Sequence, residues 1–384
     1  MRIVYWENII SQHKLPYFEY LAKSKEVGEF VLVVEEELSQ QLKEQGWHSK
    51  VPKLSNFSLV VNPSNKTINE ILLENQSNSF HVFSGIRSIP MVFSAFQESL
   101  NLNVNRILLT ESVNTLGLRA ISRRLASFFI ERKFLKNYDL VLGSGASTQK
   151  WYVECGLEIK NFYPFLYAVQ DTETKIIKNL DNELLKLVFV GRVEKAKGLD
   201  VLLEALKSSD KGKFKLDIYG DLVEDVFFKK LVNDLNLNNN VEFKGVKSNL
   251  ELRNLLQQYH MLVLPSRWDG WGAVINEAIA SGLKVICSDR CGASILIIND
   301  KIGHVFNVNK SQSLTNIIEQ TITDKNTIDR DYILEYSNYL KGDKVAQYLI
   351  DIINFHYKNK GSRPLPPWEK FQLEKNINTQ NSVN

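Results

Sequence analysis

Short apolar runs alternate with longer stretches of helical periodicity along the whole chain. They fall into two groups of six. The first group is 2–6, 30–34, 57–61, 80–84, 106–110 and 138–143, and the second is 186–191, 214–220, 241–245, 261–265, 284–288 and 303–307. Strands that are apolar throughout, and that helices separate, are typical of buried parallel sheets. Two such groups predict an α/β chain of two doubly wound, Rossmann-like domains.

The same pattern suggests domain boundaries. We expect an N-terminal domain at 1–165, a polar linker at 166–185 and a C-terminal domain at 186–339, with helices in 340–384 completing the first domain. Two such domains facing each other would enclose a cleft. Because open parallel sheets bind ligands beyond the carboxyl ends of their strands, residues that directly follow strands are the candidates for a site.

Composition excludes several classes of protein. The 384 residues carry a formal net charge of only +3, which does not favour a nucleic-acid partner. Three cysteines cannot build a disulfide framework and favour a reducing compartment. No apolar run reaches the roughly 18 residues of a membrane span, and the start lacks the pattern of a signal peptide. We therefore expect a cytoplasmic protein.

The segment 265–289, PSRWDGWGAVINEAIASGLKVICSD, follows an apolar strand with a glycine-rich loop and then a helix. The loop and the start of the helix can offer backbone N–H groups to a phosphate from Gly270, Trp271, Gly272, Ala273 and Val274. Asp269 in the loop and Glu277 in the helix can accept hydrogen bonds from sugar hydroxyls. A nucleotide-sugar has this layout. The alternative is that Asp269 is a turn residue and Glu277 a solvated helix position.

A second candidate site follows the strand at 186–191. The strand ends at Gly191, Arg192 comes next, and Lys197 lies five residues further on. Two cations at a strand's carboxyl end suit a diphosphate, since Arg offers a bidentate fork and Lys a point charge. They can also stabilise charge on a leaving nucleoside diphosphate. An ordinary solvated basic loop would contain the same residues.

Together these motifs carry a family resemblance. The stretches GRVEKAKG, LLEAL, LDIYGD, VEFKG and VLPSRWDGWGAVINEAIASGLKVICSD resemble the C-terminal half of the retaining glycosyltransferases of family 4, which have the GT-B fold. The resemblance covers about 186–310, and 111–156 resembles a more divergent N-terminal domain of that family. It implies transfer of a hexose from a UDP- or GDP-sugar to a hydroxyl of a glycan or lipid-linked saccharide, in cell-surface polysaccharide synthesis, with no metal or other cofactor.

The resemblance also implies roles for residues. By their match to the family motif, Arg192 and Lys197 would bind the donor diphosphate. Asp269 would contact the donor sugar, and Glu277 the ribose. The chain departs from the family at two places: the usual Glu is Asp at 269, and ENIISQHKLP (7–16) replaces the glycine-rich turn after the first strand.

Three strand ends in the first half add further candidates. His13 follows the first strand and could contact donor phosphate or acceptor, or else cap a helix. Glu111 follows the strand at 106–110, and could position an acceptor hydroxyl or act as a base, or else be an ordinary carboxylate at a helix start. Ser84 and Gly85 follow the apolar run FHVF (80–83) and could offer backbone N–H donors.

Residues 116–136 predict a basic amphipathic helix. One helical stripe carries Leu118, Ile121, Leu125, Phe128 and Leu135, and six cations surround it against one acid. Such a helix either packs on the core with a basic outer face or lies on an anionic membrane. The second interpretation gains from the resemblance, because many related enzymes act on lipid-linked acceptors.

Two other functions stay open at this point. An epimerase of GT-B fold would bind the same donor, but should need additional acids and bases in the cleft. A non-catalytic nucleotide-sugar-binding protein would keep the fold without the chemistry. The presence of Arg192, Lys197 and Glu277 together argues against this last class.

Overall fold

A computed structural model describes residues 1–38, 51–114, 118–169, 184–324 and 328–381. The chain divides into two compact units, Met1–Asp171 with Lys341–Pro367, and Thr172–Leu340 with Trp368–Asn384. The sequence prediction grouped all of 340–384 with the first domain. Residues from Trp368 onwards belong instead to the second unit, where Phe371 packs against the rings of Tyr332 and Tyr336. Most of the expected linker, 170–183, lies outside the described residues.

Seven strands form the sheet of the first unit: β1 (Arg2–Glu7), β2 (Glu29–Val34), β3 (Phe57–Val61), β4 (Ser79–Ser84), β5 (Asn105–Glu111), β6 (Leu140–Ser144) and β7 (Phe162–Phe165). All pairs are parallel, in the order β3-β2-β1-β4-β5-β6-β7. The order reverses between β1 and β4, which is where doubly wound sheets bind ligands. The sequence prediction missed β7, which is short and contains Pro164. At the sheet edge, that proline's missing N–H is tolerated.

Six strands form the sheet of the second unit: β8 (Leu185–Val190), β9 (Phe214–Tyr219), β10 (Val241–Gly245), β11 (Met261–Leu264), β12 (Lys284–Ser288) and β13 (Gly303–Phe306). They are also parallel, in the order β10-β9-β8-β11-β12-β13. The order reverses between β8 and β11, so this unit has its own switch point. All six strands were predicted from the sequence to within one residue at each end.

Helices connect the strands. In chain order they are α1 (Leu15–Lys23), α2 (Asn65–Leu73), α3 (Pro90–Ser99), α4 (Leu118–Ala126), α5 (Arg132–Leu135), α6 (Thr148–Glu154), α7 (Leu199–Leu206), α8 (Asp225–Asp234), α9 (Asn249–Leu256), α10 (Val274–Ala280), α11 (Ser311–Thr323), α12 (Arg330–Ser337), α13 (Gly342–Lys358) and α14 (Pro367–Asn381). A π-helical turn, Ser127–Glu131, joins α4 to α5. Within the described ranges, none of the helices is long and apolar enough to cross a membrane.

Each unit has its own hydrophobic core. In β9, every second residue, Phe214, Leu216 and Ile218, is buried in the core of the second unit, as the period of two in a strand requires. The first core includes Trp6 of β1 and Phe83 of β4. These cores fix the positions of the strand ends, and the strand ends carry the loops of the candidate sites.

Candidate functional site

The loops that follow β8 and β11 lie against each other at the carboxyl edge of the second sheet. Gly198 has a φ of +71°, and a Cβ there would lie 1.9 Å from the carbonyl oxygen of Pro265. The backbone N–H of Arg267 donates to the carbonyl of Ala196 at 2.9 Å. The guanidinium of Arg267 also donates two hydrogen bonds of 2.7 Å to the carboxylate of Asp200. Only glycine at position 198 permits this close approach.

The approach of the two loops brings Lys197 and Asp269 into contact. These candidates lie 72 positions apart in the sequence, and the Nζ atom of Lys197 is 2.7 Å from Oδ2 of Asp269. Their side chains are 21% and 17% exposed, so both remain open to solvent while the surrounding loops partly shield them. A ligand that reaches this edge of the sheet meets a cation and a carboxylate side by side.

The backbone of Asp269 is fixed by the loop that follows β12. Its N–H donates to the carbonyl of Arg290, and its own carbonyl accepts from the N–H of Gly292, both at 3.0 Å. A Cβ on Gly292 would lie 2.0 Å from the carbonyl oxygen of Gly270. Sequence reasoning missed this loop, 289–292, because it acts through backbone contacts. Its glycine, four residues after a strand end, is the one signal that could have indicated it.

Arg192 lies on the same loop as Lys197, at the carboxyl end of β8. Gly191 is held there by a hydrogen bond from its N–H to the carbonyl of Tyr219, at 2.9 Å. The guanidinium of Arg192 is 2.9 Å from the carboxylate of Glu194, and its side chain is 61% exposed. The structure therefore places both candidate cations at one strand end, with Arg192 the more accessible.

Glu277 is buried in α10, and its neighbours lie on α9. The Asn249 side chain forms a hydrogen bond with its carboxylate, and the positive charge of Arg253 acts on it. Burial raises the pKa of Glu277, while the charge of Arg253 and the hydrogen bond with Asn249 oppose that rise. A solvated helix position, the alternative for this residue, is therefore excluded. No contact that we find among the described residues joins Glu277 to the Lys197–Asp269 pair.

The remaining donor-site candidates form the loop and first turn between Asp269 and Glu277. The indole N–H of Trp271, which is buried, donates to Oδ1 of Asn276 at 2.9 Å. Gly272 has a φ of +88°, which favours glycine. Ala273 precedes α10 and Val274 begins it. The position of this loop is therefore fixed by the hydrogen bond of the Trp271 indole, by the backbone contacts of Asp269 and by the buried side chain of Glu277.

A cavity of about 340 Å³ lies at the carboxyl edge of the first sheet. It brings together strand-end residues of β1, β4, β5 and β6: Glu7, Ser84, Gly85, Glu111 and Ser144. Three of these, Ser84, Gly85 and Glu111, were candidates from the sequence. The ring of His13 stacks on that of Tyr167, which lines the cavity, with 6.0 Å between the ring centroids.

Sequence reasoning missed the buried ion pair in this cavity. The Nζ atom of Lys14 donates to Oε1 and Oε2 of Glu7 at 2.7 and 2.8 Å, and to the hydroxyl of Ser84 at 3.3 Å. The side chains of Glu7 and Lys14 are 2% and 10% exposed. A carboxylate that ends a buried strand is the signal that could have found Glu7, and the same rule had selected Glu111.

The basic amphipathic segment exposes most of its described apolar stripe. Of the predicted stripe, Ile121, Leu125 and Phe128 are 62%, 54% and 44% exposed, and the neighbouring Phe129 and Ile130 are 62% and 42% exposed. Leu135, by contrast, is buried. Packing on the core therefore accounts for Leu135, but not for the exposed residues. Residues 116–117 and the side chain of Leu118 lie outside the described part of the chain.

Comparison with known proteins shows which family the second unit resembles. Residues 170–338 match the model of the family "Glycosyl transferases group 1". An uncharacterized 41.2 kDa protein in the cps region of Klebsiella pneumoniae is 30% identical over 200 residues, which are 50% of this chain and 54% of that protein. The UDP-Gal:alpha-D-GlcNAc-diphosphoundecaprenol alpha-1,3-galactosyltransferase of Escherichia coli is 27% identical over 210 residues, 52% of this chain and 53% of the enzyme. The chain thus spans about half the length of the curated relatives it matches.

A solved structure resembles nearly the whole chain. The apo form of the lipopolysaccharide outer core galactosyltransferase WaaB has a TM-score of 0.71 and 13% identity, covering 94% of this chain and 100% of that one. At this identity the likeness shows the fold alone. The fold is GT-B, and the predicted fold class is confirmed.

Proposed function

We propose that the chain, whose residues 170–338 match the model of the group 1 glycosyl transferases, is a retaining glycosyltransferase. It moves a hexose from a UDP- or GDP-sugar to a hydroxyl of a glycan or lipid-linked saccharide, in the synthesis of a cell-surface polysaccharide. The observation that carries the proposal is the Lys197–Asp269 contact at the switch point of the second sheet, inside the matched region. The names of the two relatives, one from a cps region and one using a UDP-sugar, support it.

The proposed reaction retains the configuration of the sugar. The acceptor oxygen forms a bond to the anomeric carbon on the face from which the diphosphate departs. The bond from that carbon to the diphosphate oxygen breaks, and its electron pair leaves with the nucleoside diphosphate. The hydroxyl proton passes to the donor's β-phosphate. Arg192 and Lys197 stabilise the negative charge that grows on the leaving group, and no metal ion is required.

The two carboxylates have separate roles in this proposal. The diphosphate competes with Asp269 for the ammonium of Lys197, because both are anions within reach of the same cation. Asp269 then accepts hydrogen bonds from hydroxyls of the donor sugar. Glu277, whose buried carboxylate is already oriented by Asn249, accepts hydrogen bonds from the ribose.

Arg192→Ala tests the role of the cations. We expect transfer to fall by about 10² or more, the scale of losing one electrostatic stabiliser of a transition state. Lys207→Ala is a matched control, since the Lys207 side chain is also 61% exposed and also pairs with a glutamate in its own segment. Normal transfer by a folded Arg192→Ala variant, or equal losses in the two variants, would contradict the proposal.

A panel of nucleotide-sugars tests the donor class. We expect UDP- or GDP-sugars to raise the melting temperature, because a ligand at 100 times its dissociation constant adds about 2.7 kcal/mol to the stability of the folded state. Incubation of each donor without acceptor distinguishes an epimerase, which would change the sugar and transfer nothing. Stabilisation by none of the nucleotide-sugars would overturn the proposed function.

We propose further that the exposed segment from Ile121 to Ile130 lies on the anionic inner face of the plasma membrane, which would make the protein peripheral. Five exposed apolar side chains of this segment adjoin the cations of Arg132, Lys133 and Lys136, a combination that suits an anionic lipid surface. The guanidinium of Arg132 lies 5.3 Å from the ring centroid of Phe128. Apolar side chains could enter the lipid interface while the cations meet lipid phosphates.

Co-sedimentation with lipid vesicles tests the membrane proposal. We expect the protein to bind vesicles that contain phosphatidylglycerol and not vesicles of phosphatidylcholine alone. Leu125→Ser should weaken this binding. Leu73→Ser is the control, because Leu73 lies in the same unit and both leucines are 54% exposed. Equal binding by both variants would exclude this segment as the membrane contact.

A further inference from the structure

Lys284 is a deeply buried lysine that lies away from the donor loops. It begins β12 at the amino edge of the second sheet, whereas those loops follow the carboxyl ends of β8 and β11. The residue is 4% exposed, and among the described residues its Nζ atom has no hydrogen-bond or ion-pair partner. Lysines are almost never buried to this extent unless they are paired, because a desolvated charge without a partner is costly. Its ammonium group therefore favours a ligand that brings the counter-charge.

The period of the strand places the Lys284 side chain on the side of the sheet that α11 covers. Ile286, two residues further along β12, is buried in the same hydrophobic core as Leu314 of α11. Side chains two positions apart in a strand lie on one face, so Lys284 shares the face of Ile286. The same rule places His304 of the neighbouring strand β13 on that face, since Phe306 belongs to the same core. Burial, and after it the charge of Lys284, lowers the pKa of His304, so the two side chains are close neighbours and the ring is neutral at pH 7.

A cavity of about 710 Å³ lies at this edge, between the starts of β12 and β13 and the C-terminal half of α11. Its inner lining is formed by buried and half-buried residues: Lys284, His304, Ile317 and Thr321. Its rim includes exposed polar residues: Asp300, Lys301, Glu319 and Gln320. The volume falls within the range of about 300–1,000 Å³ that is usual for small-molecule sites. A charged group at the bottom and polar groups at the mouth suit a small polar ligand with one charged end.

The charges around the cavity favour a ligand with a single negative charge. The rim carries carboxylates at Asp300 and Glu319, and a cation there, Lys301, is already paired with Asp329 at 3.7 Å. One negative charge that reaches the bottom of the cavity pairs with Lys284 in surroundings of low dielectric constant, where the attraction is strong. A phosphate monoester would bring a second negative charge, which would be repelled by the carboxylates of the rim. A carboxylate fits this arrangement better than a phosphate does.

We propose that this cavity binds a small monocarboxylic acid in its anionic form, with the carboxylate paired to the ammonium group of Lys284. The neutral ring of His304 donates its N–H to the same carboxylate, and hydroxyl or amino substituents of the ligand meet the amide of Gln320. This site and the donor site lie at opposite ends of β12, because Lys284 begins the strand and the loop 289–292 follows it. The inference does not depend on the proposed function, since binding is measured without any transfer.

Saturation-transfer NMR on the full chain tests the proposal with a panel of monocarboxylates that runs from lactate and glycerate to gluconate. We expect at least one of them to bind, and Lys284→Met to weaken that binding about tenfold or more, which corresponds to about 1.4 kcal/mol. Lys186→Met is the matched control and should bind normally, because Lys186 lies at the amino end of β8 in the same sheet and is half-buried. Binding of none of the panel, or equal affinities in the two variants, would overturn the proposal.

A comparison of glycerate with glycerol 3-phosphate tests the preference for a single charge. Phosphates can also bind elsewhere on the chain, so the quantity compared is the part of the binding that Lys284→Met removes and Lys186→Met retains. We expect this part to be at least about tenfold weaker for glycerol 3-phosphate, and Glu319→Gln to strengthen it by removing a carboxylate of the rim. Equal or tighter binding of the phosphate at Lys284, or no effect of Glu319→Gln, would overturn the choice of a carboxylate.

Thermal unfolding without any ligand tests whether Lys284 lacks a partner within the chain. Lys284→Met replaces a charge with an apolar group of similar length, so its melting temperature should equal or exceed that of the natural chain. A lower melting temperature would show that the chain itself already stabilises this charge, and the proposal would fail. Binding that depends on Lys284 in a chain that transfers no sugar would refute the proposed function and leave this site standing.

Discussion

Gly198 offers a substitution whose effect can be worked out from the structure. In Gly198→Ala the new Cβ would lie 1.9 Å from the carbonyl oxygen of Pro265, whereas real Cβ atoms essentially never come closer than 3.0 Å. The loops after β8 and β11 must therefore separate by at least about 1 Å. Lys197 directly precedes Gly198, and Asp269 lies four residues after Pro265. Separation of the two loops would therefore also move Lys197 away from Asp269, the pair that we assign to donor binding.

Two costs follow from this substitution. An alanine in the left-handed region costs about 1–2 kcal/mol of stability. A displacement of about 1 Å at reacting groups can lower a rate by about 10²-fold. Gly245→Ala separates the two costs, since Gly245 has a φ of +69° and nothing within 4 Å of a Cβ there. It carries the backbone strain without the overlap.

The assay is sugar transfer, measured beside thermal unfolding for both variants. Both variants should melt at a lower temperature, Gly198→Ala by more, and only Gly198→Ala should lose about 10²-fold in transfer. Transfer by Gly198→Ala equal to that by Gly245→Ala would show that the distance between these two loops does not matter to the chemistry. The Lys197–Asp269 contact would then not support the proposed function.

Four further outcomes are expected. Asp269→Asn should lower transfer while isothermal titration shows nearly unchanged affinity for the nucleoside diphosphate; equal loss of both would place Asp269 in the nucleotide pocket. Glu277→Gln should weaken nucleoside diphosphate binding by about 1.5–3 kcal/mol in the same titration, since a hydrogen bond to a charged group is lost. Activity should survive EDTA, and a loss that magnesium or manganese restores would contradict the metal-free proposal. Burial lowers the pKa of His81 to about 3, so the folded state loses roughly 1.4 kcal/mol of stability per pH unit as the pH falls from about 6.5 towards 3. His81→Asn keeps an acceptor for Trp6 Nε1, and its free energy of unfolding in urea should therefore fall less between pH 7 and pH 4.5 than that of the natural chain.

The strands were predictable because buried parallel strands are apolar along their whole length. In β12, for example, all five residues are buried, and the apolar centre VIC (285–287) shows it in the sequence. The four-residue β7 escaped because Pro164 is read as a strand breaker, and only its place at the sheet edge makes it acceptable. That place is a property of the whole sheet and is not written in the local sequence.

The sequence allowed prediction of which single residues follow the strand ends of the candidate site, but not of which side chains contact each other there. Arg192 and Asp269 were found because they follow strands, and these residues remain predictions as donor ligands. The contact between Lys197 and Asp269 depends on the close approach of two backbones at Gly198, which residue chemistry does not reveal. Long-range pairs of this kind require the tertiary structure.

The membership of α13 in the first unit determines how the chain can be synthesised and divided. This helix packs on α1, with Gly342 against the backbone of Pro16, and on β7, with the ring of Tyr348 stacked on that of Phe165. A ribosome must therefore translate the whole second sheet before the first unit can cover α1. No single cut yields two complete halves, so an isolated first unit would need 341–367 supplied by co-expression or by a permuted gene.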